Sequence, residues 1–179
     1  NKTGNGGSGG GIYVDAANAL VQKGASIDAP RIQNNAAAKG GGVYVAGGGD
    51  LKVTDGFIIE NFAKGMPESL TTALNQNYYL RGVGGGIYIA DGVSSSNPTT
   101  FTLEGTNIAI YGNQADFGAD DVFANANNTT WQNCIISEGI EPQRFGAITD
   151  GTRNWTIHHC LWQNNKSRNP KMKCYVQYY

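Results

Sequence analysis

The sequence Gly9-Gly-Gly-Ile-Tyr-Val14 returns as Gly40-Gly-Gly-Val-Tyr-Val45 and Gly84-Gly-Gly-Ile-Tyr-Ile89, and in a degenerate form as Gly118-Ala-Asp-Asp-Val-Phe123. No other feature of the chain restricts its fold as much, because a period of about 20–50 residues is how stacked-repeat architectures show themselves. A second element keeps time with the first. An apolar residue stands three before an Asn at Ile32 and Asn35, Ile58 and Asn61, Ile110 and Asn113, and Leu161 and Asn164. These asparagines are 26, 52 and 51 residues apart, which sets one unit at 26 residues and makes the later intervals double. Each element is short, rich in β-branched or aromatic residues and bounded by Gly, Asn or Asp, as strands are. None can bury its own apolar face, so successive units must stack about 4.8 Å apart to make a core. The spacing therefore predicts an all-β chain, a parallel β-helix or solenoid, with the Gly triplets allowing sharp turns and close approach of neighbouring units.

Composition agrees with this and removes the competitors. Gly makes up 26 of 179 residues and charged residues only 15%, which argues against helical bundles and coiled coils. The glycines cluster without a strict period of three, so the chain is not collagen-like, and 40% apolar residues leave no reason for disorder. A net charge of -1 gives no electrostatic basis for binding nucleic acid or anionic membranes. No apolar run approaches the roughly 20 residues of a membrane span, so no membrane insertion is expected. The length fits a single domain, 1–179, with Gly-rich units over 1–125 and a different set of units over 126–179.

Two segments interrupt the period. Residues 65–82, with Pro67 ahead of Leu70, Ala73 and Leu74, read as an inserted short helix or loop, and Asp15 to Lys23 as a second short helix, both outside the stack. Tyr13, Tyr44 and Tyr88 share one position of the period and should form a stacked ladder. Cys134 and Cys160 are 26 residues apart and should be level in adjacent units as a buried thiol pair, with Cys174 as a third small core residue. His158 and His159 beside Cys160 lack the spacing of a metal site and are expected to pack or hydrogen-bond between units. Asn1, Asn127, Asn128, Asn154 and Asn165 fit the glycosylation sequon, which an Asn- and Thr-rich chain also matches by chance. Tyr175-Val-Gln-Tyr-Tyr179 reads as a strand cut in mid-unit, so the chain is expected to be a fragment, or else to pair end to end with its own copies through open edges.

The Gly-triplet units, Asn35-Ala-Ala-Ala-Lys-Gly-Gly-Gly-Val-Tyr-Val45 above all, resemble those of bacterial surface β-helix proteins such as adhesins and autotransporter passengers. That resemblance implies a scaffold. The segment 131–173 resembles the central units of pectate lyases, which are right-handed parallel β-helices: Cys134-Ile-Ile-Ser-Glu-Gly139, Phe145-Gly-Ala-Ile-Thr-Asp150, and Trp155-Thr-Ile-His-His-Cys-Leu-Trp-Gln-Asn-Asn-Lys-Ser-Arg-Asn-Pro-Lys-Met-Lys173. The Arg-x-Pro motif of that family stands here as Arg168-Asn-Pro170.

The resemblance implies β-elimination of an acidic polysaccharide assisted by Ca²⁺, in a protein that is secreted or held at the cell surface. It places the proton-abstracting base at Arg168. The second basic residue of the motif is Lys173, which keeps the charge but lacks the planar fork of Arg, and a substrate-carboxylate-binding cation falls near Arg144. Calcium needs several hard oxygen ligands. Aligning Gly84-Gly-Gly-Ile-Tyr88 with Ala119-Asp-Asp-Val-Phe123 puts Asp120 and Asp121 where earlier units carry Gly, and makes them candidate metal ligands together with Asp116. Asp121 and Arg168 would lie about two units apart, roughly 10 Å along the stack. Two functions of different class are compatible with these residues: a polysaccharide lyase of this type, or a non-catalytic surface adhesin or filament protein in which paired Asp residues are turn formers and Trp155 and Trp162 belong to the core.

Overall fold

Val43 and Val45 turn inward while Tyr44, between them, faces out, and this alternation in a strand of three residues repeats from sheet to sheet. The computed structural model describes residues 7–15, 19–21, 30–66, 82–92, 98–117, 119–124, 129–137, 147–150, 155–164 and 171–173. Among them there is no helix, and every strand pairing is parallel.

Three sheets account for the strands, numbered in chain order. The first contains β1 (Ile12–Val14), β5 (Val43–Val45), β9 (Ile87–Ile89), β12 (Val122–Ala124), β14 (Ala147–Asp150) and β17 (Lys171–Lys173), adjacent in that order. The second runs through β2 (Ala19–Val21), β6 (Asp50–Val53), β10 (Thr100–Tyr111), β13 (Thr129–Ser137) and β15 (Trp155–His158). In it β3 (Arg31–Gln33) and β7 (Gly56–Ile59) line up on the second half of β10, and β16 (Leu161–Gln163) on the second half of β13. The third is small: β4 (Ala36–Ala37), β8 (Phe62–Ala63) and β11 (Gln114–Ala115). From β4 to β13 the chain visits third, first and second sheet in turn, and each such round lays its strands beside those of the round before; beyond β13 the described strands alternate between the first and second sheets.

The interior is made of the inward rows. Val43, Ile87 and Val122 stack from the first sheet, Leu51 and Phe101 from the second, and Ile58, Ile110 and Ile136 from its other half, all essentially free of solvent. Each such side chain contributes about 1.5–3 kcal/mol by leaving water. On the outer side of the first sheet the rings of Tyr13, Tyr44, Tyr88 and Phe123 stack at 5.3, 5.0 and 5.1 Å with interplanar angles of 7°, 0° and 13°. The tyrosine ladder read from the sequence is present, and Phe123 extends it into the degenerate unit.

Two expectations are corrected. Within Asp15 to Lys23, Ala19–Val21 is a strand and not part of a helix, in parallel register with Leu51–Val53. The last Asn is also out of phase. Pairing of Ile32 with Ile58, Ile58 with Ile110, Ile110 with Ile136 and Ile136 with Trp162 makes Trp162, not Leu161, the equivalent of Ile32. Asn164 falls instead in the column of Asn34, Glu60 and Gly112, all left-handed (φ 57°, 54° and 64°, against 52° for Asn164). The interval of 51 rather than 52 was the sign of this one-residue slip. Pairing of Gln132 with His158 and of Ile135 with Leu161 does put Cys134 level with Cys160, whose side chain is half-buried against the core. Residues 67–81 of the interrupting segment, and Cys174, lie outside the described residues.

Candidate functional site

The equivalence that singles out Asp120 and Asp121 in the sequence is reproduced by the backbone. Gly9, Gly40 and Gly84 open their turns with φ of 67°, 56° and 65°, and Ala119 opens the fourth at 54°, a left-handed conformation that costs a residue with a Cβ about 1–2 kcal/mol. Gly85 N, Gly86 N and Ile87 N donate to the carbonyls of Ala119, Asp120 and Asp121, as Gly41 N, Gly42 N and Val43 N donate to Gly84, Gly85 and Gly86. The turn is therefore preserved while its side chains change. In the glycine turns a side chain is impossible: a Cβ on Gly41 would lie 2.5 Å from the Gly85 carbonyl oxygen, and one on Gly85 2.1 Å from that of Gln114. Asp120 and Asp121 carry full side chains at this place, and both are completely buried.

Their surroundings are set by a ladder of asparagines. Asn35 donates through its backbone N and its Nδ2 to Asn61 Oδ1 (3.1 and 3.0 Å), and Asn61 does the same to Asn113 Oδ1 (3.0 and 2.9 Å). The amides also donate back to main-chain carbonyls, Asn61 Nδ2 to Ile32 O and Asn113 Nδ2 to Ile58 O. Asn113 Nδ2 then donates to Asp121 Oδ1 at 2.9 Å. Asp120 Oδ1 accepts from the backbone N of Ala115, also at 2.9 Å. Asn113, the link between ladder and acidic turn, is a residue that a search for acids and bases passes over, although its place in the 26-residue period marks it.

Asp116, one step beyond β11, is exposed, and its backbone N donates to Ala63 O. It does not join the other two. Among the described residues no three His, Cys, Asp or Glu side chains come together in a way that could hold a metal ion. Calcium takes six to eight oxygen ligands, and one oxygen each of Asp120 and Asp121 already accepts a hydrogen bond inside the protein. Arg144 and Arg168 lie outside the described residues. Lys173 ends β17 and is level with Asp150 of β14. Since β12, β14 and β17 are adjacent in that order, β17 stands two strands beyond β12. His159 is exposed with φ 53°, and Trp162 packs half-buried against the core.

Perturbed charges lie on the Gly-triplet rounds. Burial lowers the pKa of Lys39, whose ammonium sits 5.4 Å from the centre of the Tyr88 ring. Burial, and then the neighbouring Tyr13, raise that of Tyr44. The Lys52 ammonium, 2.7 Å away, lowers that of the exposed Glu104.

The chain is 30% identical over 90 residues to the probable pectate lyase C of Neosartorya fischeri, a stretch that takes in 49% of this chain and 21% of that protein. It is 31% identical over 85 residues to the probable pectate lyase C of Aspergillus terreus (45% and 20%) and 32% identical over 73 residues to that of Emericella nidulans (39% and 17%). The matched stretch amounts to about a fifth of the length of these relatives. No family model and no solved structure matches it. No helix among the described residues is long and apolar enough to cross a membrane.

Proposed function

We propose that this chain is part of a right-handed parallel β-helix belonging to a secreted or surface-held polysaccharide lyase, one that cleaves a polyuronate such as pectate by β-elimination. The observation that carries this reading is the similarity to the fungal probable pectate lyases; the parallel sheets, traversed in rotation, are the architecture such a protein needs.

In this reading Arg168 removes the proton from the carbon next to the uronate carboxylate. The electron pair forms a carbon–carbon double bond, and the glycosidic oxygen on the next carbon leaves. Lys173 and Arg144 hold substrate carboxylates and surround Arg168 with positive charge. An Arg is normally fully protonated, and only neighbouring cations and an alkaline medium make it a usable base. Calcium belongs to the resemblance, and no step is assigned to it; among the described residues no three His, Cys, Asp or Glu come together to hold a metal ion.

The test is the ultraviolet absorbance of the unsaturated product on incubation with polygalacturonate in alkaline buffer, with and without added calcium. Wild-type protein is expected to generate product and Arg168→Ala to lose at least about a hundredfold in rate. A folded wild-type protein that gives no product with calcium present overturns the reading. It would leave the second function, a non-catalytic adhesive or filament scaffold, which the glycine columns and ladders of the described rounds favour.

A further inference from the structure

The glycine turns and the acidic turn share one backbone but differ in their neighbours on the far side, and the difference gives the two carboxylates a role other than the one their sequence suggests. Gln114 and Asp116 donate their backbone N–H groups back to Asn61 O and Ala63 O. In a parallel ladder alternate residues face opposite neighbours, so the N–H of Ala115, between them, faces away from β8, toward where a further strand would supply a carbonyl. Among the described residues the third sheet has no strand beyond β11. Asp120 Oδ1 takes that N–H instead.

The asparagine ladder ends in the same place for a related reason. Every ladder bond runs one way, each Asn donating to the next Oδ1. An amide both donates and accepts and can pass the chain of bonds on, whereas an ionised carboxylate only accepts. A carboxylate oxygen is thus suited to the last position, where the bond only has to be accepted. Asp121 stands at that position, fully buried.

We propose that Asp120 and Asp121 are structural acceptors, closing the Ala115 N–H on the far side of β11 and the asparagine ladder at Asn113, and are not calcium ligands. Asp120 takes the N–H that faces away from β8, and Asp121 receives the amide of Asn113. Together they close an edge that would otherwise leave buried donors unmet, each such donor costing about 1–3 kcal/mol. This holds whether or not the chain is a lyase.

Four variants test it: Asp120→Asn and Asp121→Asn, which keep an acceptor oxygen, and Asp120→Leu and Asp121→Leu, which remove it. The readouts are amide hydrogen exchange at Ala115, exchange of the Asn113 side-chain amide, and the thermal midpoint with and without millimolar calcium. Exchange at Ala115 is expected to rise about tenfold in Asp120→Leu and to stay near wild type in Asp120→Asn. The Asn113 amide should respond in the same way to the Asp121 pair. Any calcium-induced rise in midpoint should be equal in wild type and both Asn variants. Where a Leu variant fails to fold, retained protection in the Asn variant supports the cap. The proposal is overturned by unchanged exchange in a folded Asp120→Leu, or by a calcium-dependent stabilisation that wild type shows and the Asn variants lose. None of these readouts depends on catalysis, so an inactive protein leaves this test intact.

Discussion

The rounds that end at Asp121 and the strands beyond it use the same second sheet in different ways. Up to β12, each round repeats four columns: glycine where backbones touch, asparagine in a ladder, an inward aliphatic, an outward aromatic. Beyond it the sheet continues, and Cys134 and Cys160 keep the 26-residue spacing, but Ile135 and Leu161 show 42% and 49% of their surface to solvent on the outer face. At the matching place one round earlier, Ala109 is nearly buried. The lesson is that register and exposure separate here. The first set of rounds is built on its ladders, and on the second sheet the described strands beyond them expose aliphatic side chains where the earlier round buries Ala109.

That comparison breaks first at a glycine. Gly85→Ala puts a Cβ 2.1 Å from Gln114 O and 2.4 Å from Asp120 O, main-chain atoms on the next round that cannot turn aside. Denaturant unfolding should show a loss of about 3 kcal/mol or more; a loss under about 1 kcal/mol would mean that the rounds are not in contact at the triplets. The next effect sets one Leu against another. Leu51→Ala, wholly buried between β2 and β10, should cost about 2–3 kcal/mol, and Leu161→Ala, half exposed, under about 1 kcal/mol. Equal losses would erase the distinction between the two regions.

The smallest effect is one of pH. The folded-state pKa of Tyr44 lies above its ordinary 10.0, because burial and then Tyr13 disfavour the tyrosinate, so this stabilisation is present below about pH 10 and lost as pH rises through the folded value. Lys39 acts with the opposite sign. Burial lowers its folded pKa from 10.5, so the unfolded chain holds more protons and stability rises with pH between the lowered value and 10.5. With the melting midpoint measured to about pH 11, Tyr44→Phe should therefore lose less stability than wild type as pH rises above about 10. A Tyr44→Phe curve that parallels wild type would show that the aromatic ladder does not feel the alkaline titration.

Much of the scaffold was legible in the residues. Period, glycine columns, tyrosine ladder and the equivalence of Ala119-Asp120-Asp121 with Gly84-Gly85-Gly86 all come from spacing, since stacked rounds force equivalent residues into contact. Ala19–Val21 was not, because an isolated apolar triplet carries no periodicity and becomes a strand only through pairing with Leu51–Val53. The slip at Asn164 was hidden for a similar reason: a left-handed turn accepts Asn as readily as the ladder does, and only register tells them apart. At the site, the acidic turn could be read from the residues but its direction could not. That Asp121 meets Asn113 and Asp120 meets Ala115 depends on how β11 lies against the acidic turn, a tertiary fact no motif encodes. Arg144, Arg168 and Lys173 remain assigned through the resemblance, with the strand order β12, β14, β17 setting the distance over which they would act.

The division of labour between scaffold and chemistry comes down to the rate of unsaturated product formation from polygalacturonate in alkaline buffer, measured side by side for wild type, Tyr44→Phe and Arg168→Ala, each confirmed folded. The account predicts equal rates for the first two and loss of activity in the third. Product formation by Arg168→Ala at the wild-type rate, or none by wild type itself, would contradict it.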